Sequence, residues 1–347
     1  MRISKRYNME PQIIVKQLFR DSIEDQVSVL LAFNPNQDRG QCLKEWENKQ
    51  YKNPLGNSII FGAYFNGKLV GMNAYMPVEY NFKEKKIAMV QSCDSKVLEE
   101  CRGHGIWSKI VRAAVDYIFN HTEYAAIIGF PNYRNSYPGF IKMKWQTLEQ
   151  MSNYVLVNKP SVFSKMLFKK NRVKQLLGRA AGFQRLIVSL TMTGGYQVTS
   201  CTFDELLWDD DENCMCVSHT YDLLEWKQLY KSIKTIGIKK DGKVVGSCIY
   251  SFDTFEGYPV CRIEKFVTGN SPMCQKRRMF ALVLKYIRYN EPQAAIVRVW
   301  TMAGSELELL CRKTLFGKSN HPNPFIIKQP SDKFNDTKWN LSFFDLD

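Results

Sequence analysis

The sequence predicts an α/β chain of two domains, on three observations. Its 347 residues exceed what one ordinary core organises and suit two apolar interiors. Stretches of helical and strand periodicity alternate along it. A hairpin signature, Asn66-Gly67 followed by Lys68-Leu69-Val70-Gly71, returns as Asp241-Gly242 followed by Lys243-Val244-Val245-Gly246. The elements after each copy come in the same order, which marks an internal duplication.

In the first half, residues 20 to 33 have an acidic first turn and apolar residues returning every three or four positions, so they read as a helix. A second helix is expected from Gln41 to about Tyr51. The runs beginning at Ser58 and Lys68 flank Asn66-Gly67, the pair most typical of a two-residue hairpin turn. Lys86 to Val97 is the next strand. Ile106, Ile110, Val111, Ala114, Val115, Ile118 and Phe119 then recur at helical spacing up to His121. Tyr124 to Phe130 is a continuous apolar run of the central-strand kind. A short helix is expected between Ser136 and Lys144, limited by Pro138 and Gly139, and Thr147 to Val157 returns as a strand.

Residues 150–203 contain no acidic side chain, while Lys159, Lys165, Lys169, Lys170, Arg172, Lys174, Arg179 and Arg185 supply eight positive charges. More than half of the net charge of +14 therefore sits in one segment, and such a field favours anionic partners. Val162, Phe163, Met166, Leu167, Val173, Leu176 and Leu177 alternate with these cations as a basic amphipathic helix. The preferred reading is a linker helix packed between domains, and the other is peripheral contact with an anionic membrane surface through 159–185. In the second half, a helix is expected at Thr202 to Leu207, a strand at Arg262 to Val267, a helix at Met273 to Tyr289, a strand at Ala294 to Met302 and a helix at Ser305 to Lys313. The expected division is 1–158, a basic linker at 159–200, and 201–347.

No run approaches the roughly 18 apolar residues of a membrane span, and no apolar stretch follows the basic start, so the expected location is cytoplasmic. Ten cysteines lie mostly in apolar runs without paired spacing and read as reduced, buried thiols. Cys214, Cys216 and His219 lack a fourth ligand at a familiar spacing, so no metal is expected.

The stretch that carries chemistry is Arg102-Gly103-His104-Gly105-Ile106-Trp107, between the strand ending near Val97 and the following helix. Two glycines let the backbone turn sharply, and the first turn of a helix offers amides with no intrahelical partner, so the stretch suits a phosphate or pyrophosphate. The second half has Thr268-Gly269-Asn270-Ser271-Pro272 at the matching place. Without the second glycine and with Pro272, it is not expected to form another cradle.

This order of elements, with Arg102 and Gly105 in place, resembles motif A of the GNAT superfamily of N-acetyltransferases. The resemblance implies an α+β fold of two GNAT-like domains, each a mixed, mostly antiparallel central sheet flanked by helices, and acetyl-coenzyme A as cosubstrate. It implies that the amides of Gly103, His104, Gly105, Ile106 and Trp107 hold the pyrophosphate beside Arg102, and that a backbone amide near Val97 holds the thioester carbonyl. Trp107 stands where the family has a small residue. The loop from Pro131 to Ser136 is similar to the family's second cofactor segment, with Asn132 and Asn135 as contacts. Phe140 takes the place of a tyrosine that often serves as the acid, so the resemblance leaves Tyr137, Tyr133 or water to supply the proton. Direct attack by an amine wants a base, for which Asp94 is the first candidate and the terminal Asp347 the second. Asp94 reads equally well as a turn or capping carboxylate.

The whole layout is similar to tandem bacterial GNAT proteins encoded with surface-polysaccharide genes or of the enhanced-intracellular-survival type, which implies an amine acceptor such as an amino sugar. Two alternatives stay open: an aminoacyl-tRNA-dependent transferase of the Fem type, and a catalytically silent binding module. Nucleic acid is not an expected partner, because Fem-type proteins generally lack an intact pyrophosphate turn.

Overall fold

The computed structural model describes residues 13–159, 192–208, 213–255, 258–319 and 323–345. The basic segment expected as an amphipathic helix lies largely outside them, as does Asp347. Among the described residues no helix is long and apolar enough to cross a membrane.

The first half begins with a strand that the sequence analysis does not anticipate, β1 (Ile13–Leu18), an edge strand pairing with β2 (Ile59–Phe65). Between them lie α1 (Ile23–Phe33) and α2 (Arg39–Tyr51), the latter capped by Asp38, whose Oδ1 accepts from the Gln41 amide at 2.8 Å. β2 and β3 (Lys68–Phe82) form the expected hairpin, with Asn66 and Gly67 at φ 51° and 77°. β4 (Lys85–Val97), α3 (Ile106–His121), β5 (Ile127–Gly129), α4 (Tyr137–Lys142) and β6 (Gln146–Val157) follow. β5 is shorter than the apolar run from Tyr124 implies. The alanines before it meet β4 only through single backbone bonds, Ala125 N to Ala88 O and Val90 N to Ala126 O.

The second half repeats the plan with β7 (Tyr196–Ser200), β8 (Met215–Val217), α5 (Tyr221–Gln228), β9 (Ile233–Lys240), β10 (Lys243–Phe255), β11 (Tyr258–Thr268), α6 (Met273–Asn290), β12 (Ile296–Thr301) and α7 (Glu306–Lys313). β13 (Gly317–Lys318), β14 (Asn323–Lys328) and β15 (Trp339–Asn340) complete it. Asp241 and Gly242 turn at φ 50° and 76°, matching the first hairpin almost angle for angle. The helix expected at 202–207 is only a single 3₁₀ turn, Phe203–Glu205. Beyond it Leu206 is extended, and the Leu207 amide bonds Ser247 Oγ at 2.7 Å instead of continuing a helix.

The two halves exchange strands. β14 of the second half enters the first sheet, antiparallel to β5 and β6, while the far end of β6 pairs with β12 of the second. One continuous sheet results, in the order β1-β2-β3-β4-β5-β14-β6-β12-β11-β10-β9-β7, mostly antiparallel with parallel pairs β4–β5 and β11–β12. Phe325, Ile326 and Ile327 of β14 are fully buried in the core of the first half. Each such side chain contributes roughly 1.5–3 kcal/mol on burial, so the exchange ties the stability of the halves together. Eight of the ten cysteines are buried, as small apolar side chains.

Candidate functional site

The site is built where two parallel strands part. β4 and β5 pair from Val90–Ile127 to Ser92–Gly129 and no further. β4 then carries a bulge against β3, between the Ala74–Cys93 and Met72–Lys96 pairs, and Asp94 sits in it at φ 49°. A bulge leaves extra residues unpaired and bends the strand, which turns the end of β4 away from β5 and opens a cleft.

A 3₁₀ turn, Glu99–Cys101, leads from β4 to the glycine turn. Gly103 and Gly105 both have left-handed φ, 85° and 68°. A Cβ at Gly103 would meet nothing within 4 Å, and one at Gly105 only Ser108 Oγ at 3.7 Å. These glycines therefore serve backbone conformation, and the turn faces open space. Gly105 begins α3, and Lys109 is the first residue whose amide finds a carbonyl four back, Gly105 O at 3.1 Å. The amides of Ile106, Trp107 and Ser108 thus stand at the positive end of a 16-residue helix. Arg102 donates from Nε to Val97 O at 3.2 Å, and its guanidinium lies 5.8 Å over the Phe33 ring, so it is held beside the turn. His104 is exposed in the turn, and His121 closes α3, its Nδ1 at 3.2 Å from Tyr117 O. These residues fit a pyrophosphate: an unobstructed anion nest at a helix start with one anchored guanidinium.

Trp107 meets a specific environment. Its Nε1 donates to Ser95 Oγ at 3.1 Å, in the bulged end of β4, and Ser95 in turn donates to Asn73 Oδ1 at 2.6 Å. Its ring packs edge-on to Phe140 of α4 at 4.8 Å. Cζ3 lies 2.5 Å from where Gly139 would carry a Cβ. The indole therefore spans from β4 to α4, across the side of the cleft, and Gly139 is what lets it lie there. Phe140 is buried between Trp107 and Trp145.

Asn132 organises the loop after β5. Its Oδ1 accepts from the amides of Arg134 and Asn135 at 3.0 and 3.2 Å, an Asx turn. Asn135 is exposed. Tyr137 stacks on Tyr133 at 5.5 Å, and its hydroxyl shares a hydrogen bond of 2.9 Å with Thr147 Oγ1 on β6.

Asp94 lines a cavity of about 400 Å³ together with Glu45, Trp46, Lys49, Tyr230 and Arg262. Its Oδ2 accepts from Lys49 Nζ at 2.6 Å and Gln50 Nε2 at 2.9 Å, both on the last turns of α2. The sequence gives no sign of either partner, because a helix that is legible by its period does not reveal which loop its end faces. Arg262 belongs to β11, five strands from β4 in the sheet, so the two halves of the sheet curve toward each other around this cavity.

The segment after β15 is also drawn in. Asp345 is fully buried and accepts from His219 Nε2 at 2.8 Å and from Ser342 N and Oγ at 2.7 Å each, while Lys227 Nζ bonds Phe344 O. Burial raises the cost of the Asp345 charge, but Lys265, His219 and Ser342 outweigh it and hold the carboxyl well below the usual range. Burial is also the main reason that the His219 pKa is lowered, so its ring is neutral and donates from Nε2. It stacks on Trp208 at 4.7 Å. Among the described residues no group of three or more His, Cys, Asp or Glu side chains could hold a metal ion.

The family model of the acetyltransferase (GNAT) domain matches residues 16–148, the stretch that contains the bulge, the glycine turn and the loop after β5. Solved structures share the fold of nearly the whole chain. A GCN5-related N-acetyltransferase from Anabaena variabilis superposes with a TM-score of 0.61 at 11% identity, covering 92% of this chain and 73% of that one. A tandem GNAT protein from the clavulanic acid biosynthesis pathway gives 0.60 at 11%, covering 92% and 100%. Saccharomyces cerevisiae N-myristoyltransferase with bound myristoyl-CoA gives 0.63 at 12%, covering 91% and 79%. No curated protein matches the sequence. Residues 16–148 therefore match an acetyltransferase (GNAT) domain, a kind of domain that uses acetyl-coenzyme A, and the chain as a whole shares its fold with these solved structures.

Proposed function

We propose that the protein transfers an acetyl group from acetyl-coenzyme A to a primary amine, with the donor at the glycine turn of the first half. The observation that carries this is the open, left-handed turn at Gly103 and Gly105, placed at the start of α3 beside the parting of β4 and β5. Bound there, acetyl-coenzyme A would supply the thioester. The amides of 103–107 and the Arg102 guanidinium would hold the pyrophosphate, and the loop set by Asn132, with Asn135, would border it. Asp94 would take the proton of an incoming ammonium, kept in orientation by Lys49 and Gln50. Tyr137 would supply a proton from the side of α4, in place of the hydroxyl that Phe140 lacks. In this reading 1–158 binds the donor and 201–347 shapes the acceptor site, with an amino sugar as the first acceptor class to try.

One observation favours a second reading, the silent binding module: Trp107 occupies the side of the cleft. Both readings are tested by acetyl-coenzyme A binding and by release of free thiol with a panel of amines. The first reading expects micromolar-range binding, at least tenfold weaker in Gly105→Glu, and thiol release that depends on added amine. Binding equal in both proteins sinks the cradle, and binding without amine-dependent release favours the module.

A further inference from the structure

The second half also opens a cleft between parallel strands. β11 and β12 pair from Val260–Ile296 to Ile263–Val299 and then part, as β4 and β5 do. Here no double-glycine turn follows, and the opening is a cavity of about 420 Å³. It is lined, among others, by Lys265 and Thr268 of β11, Thr301 of β12, Glu149 of β6, and Trp339 and Ser342 of the last described segment. That volume suits a small molecule or the end of a larger one.

Lys265 is 6% exposed, and no described residue gives it a hydrogen bond or an ion pair. The negative charge it feels is Asp345, whose oxygens already accept from His219 and Ser342. Thr301 Oγ1, Thr268 Oγ1 and Trp339 Nε1 are buried with no partner. Two carboxylates also line it, and both are engaged: Glu149 accepts from the Ala303 amide at 2.8 Å, and Glu306 pairs with Lys276 Nζ at 2.6 Å. The cavity thus gathers an ammonium, two hydroxyls and an indole N–H, all able to donate. Buried donors left without acceptors cost free energy, which an anionic ligand bonding several of them at once would offset.

We propose that this cavity binds a small anionic group, a carboxylate or a phosphate, and that this group belongs to the acceptor amine. The second clause rests on the acyltransfer reading, and the first does not. The cavity lies well for such a role. Ile326 of β14 pairs with Gly129, where the first cleft begins, and also with Thr147 of β6, two residues before Glu149 in the cavity wall. Two strand spacings, roughly 10 Å, separate that wall from the first cleft. An acceptor anchored at Lys265 by its anion can direct its amine toward the donor.

The test is calorimetric titration of the full chain with malonate, inorganic phosphate and uncharged malonamide at constant ionic strength. Acetyl-coenzyme A is titrated into the same preparations. The expected result is saturable binding of malonate or phosphate, none of malonamide, and affinity at least tenfold lower in Lys265→Met, as for loss of a charge-assisted hydrogen bond. Thr301→Val, nearly isosteric, should weaken the same anion several-fold and serves if Lys265→Met does not fold. Preference for one anion identifies its source as a carboxylated or a phosphorylated acceptor. The proposal is overturned if wild type binds neither anion saturably, or if the variants bind as tightly as wild type. Anion binding without acetyl-coenzyme A binding would fail the acyltransfer reading alone.

Discussion

The seat of Trp107 can be tested through its neighbour Gly139. In a helix, Gly→Ala is ordinarily stabilising by about 0.5–1 kcal/mol, because alanine has less backbone freedom to lose. Here the new methyl would lie 2.5 Å from Trp107 Cζ3 and 2.9 Å from Cη2, atoms of a rigid ring. The ring must retreat by roughly 1 Å to reach ordinary contact, which strains its bond to Ser95 and its packing on Phe140; such overpacking costs about 1–3 kcal/mol. Gly139→Ala should therefore be neutral to destabilising by about 2 kcal/mol in wild type. In a Trp107→Ala background it should stabilise by about 0.5–1 kcal/mol. Urea unfolding of the four proteins gives the coupling energy, expected at about 1–3 kcal/mol. Equal effects of Gly139→Ala in the two backgrounds would refute the placement of the indole and any role for it in narrowing the cleft.

Further outcomes follow from burial and exchange. Phe325→Ala, in the exchanged strand, should cost about 3–5 kcal/mol and lower the stability of both halves together in one urea transition; two separated transitions would contradict the shared sheet. Stability should fall with acid in two stages. The lowered His219 pKa means that the unfolded chain takes up a proton near pH 6.5 while the folded chain resists it, so stability is full above that pH and declines below it. The depressed Asp345 pKa adds stability that is present above about pH 4 and is lost as pH falls further. His219→Asn should remove the first decline, seen as a flat urea midpoint between pH 7 and 5. An unchanged slope in that variant would show that another group titrates there.

Both hairpins were legible because a two-residue turn needs left-handed φ, and Asn66-Gly67 and Asp241-Gly242 declare it. The glycine turn was legible for the same reason, and α3 because its buried face returns at helical period. What was hidden depends on partners remote in sequence. An apolar run such as Phe325-Ile326-Ile327 carries no label saying which sheet it joins, so the exchange of β14 and β6 has no local signature. β1 alternates too weakly, at a half-buried edge, to stand out. Asp94 could be read as base or cap from its position alone. Only the bulge, the approach of Lys49 and Gln50 from α2, and the cavity shared with Arg262 define its surroundings. The cavity around Lys265 was hidden for the same reason, since its donors come from β11, β12 and the segment after β14.

The claim at the centre of this account is that the donor binds at the first glycine turn and not at its counterpart in the second half. Hydrogen–deuterium exchange of the full chain, with and without acetyl-coenzyme A, reads the two turns side by side. Protection should appear at the amides of 103–108, with residues 269–275 unchanged. Protection at 269–275 with none at 103–108 would contradict it.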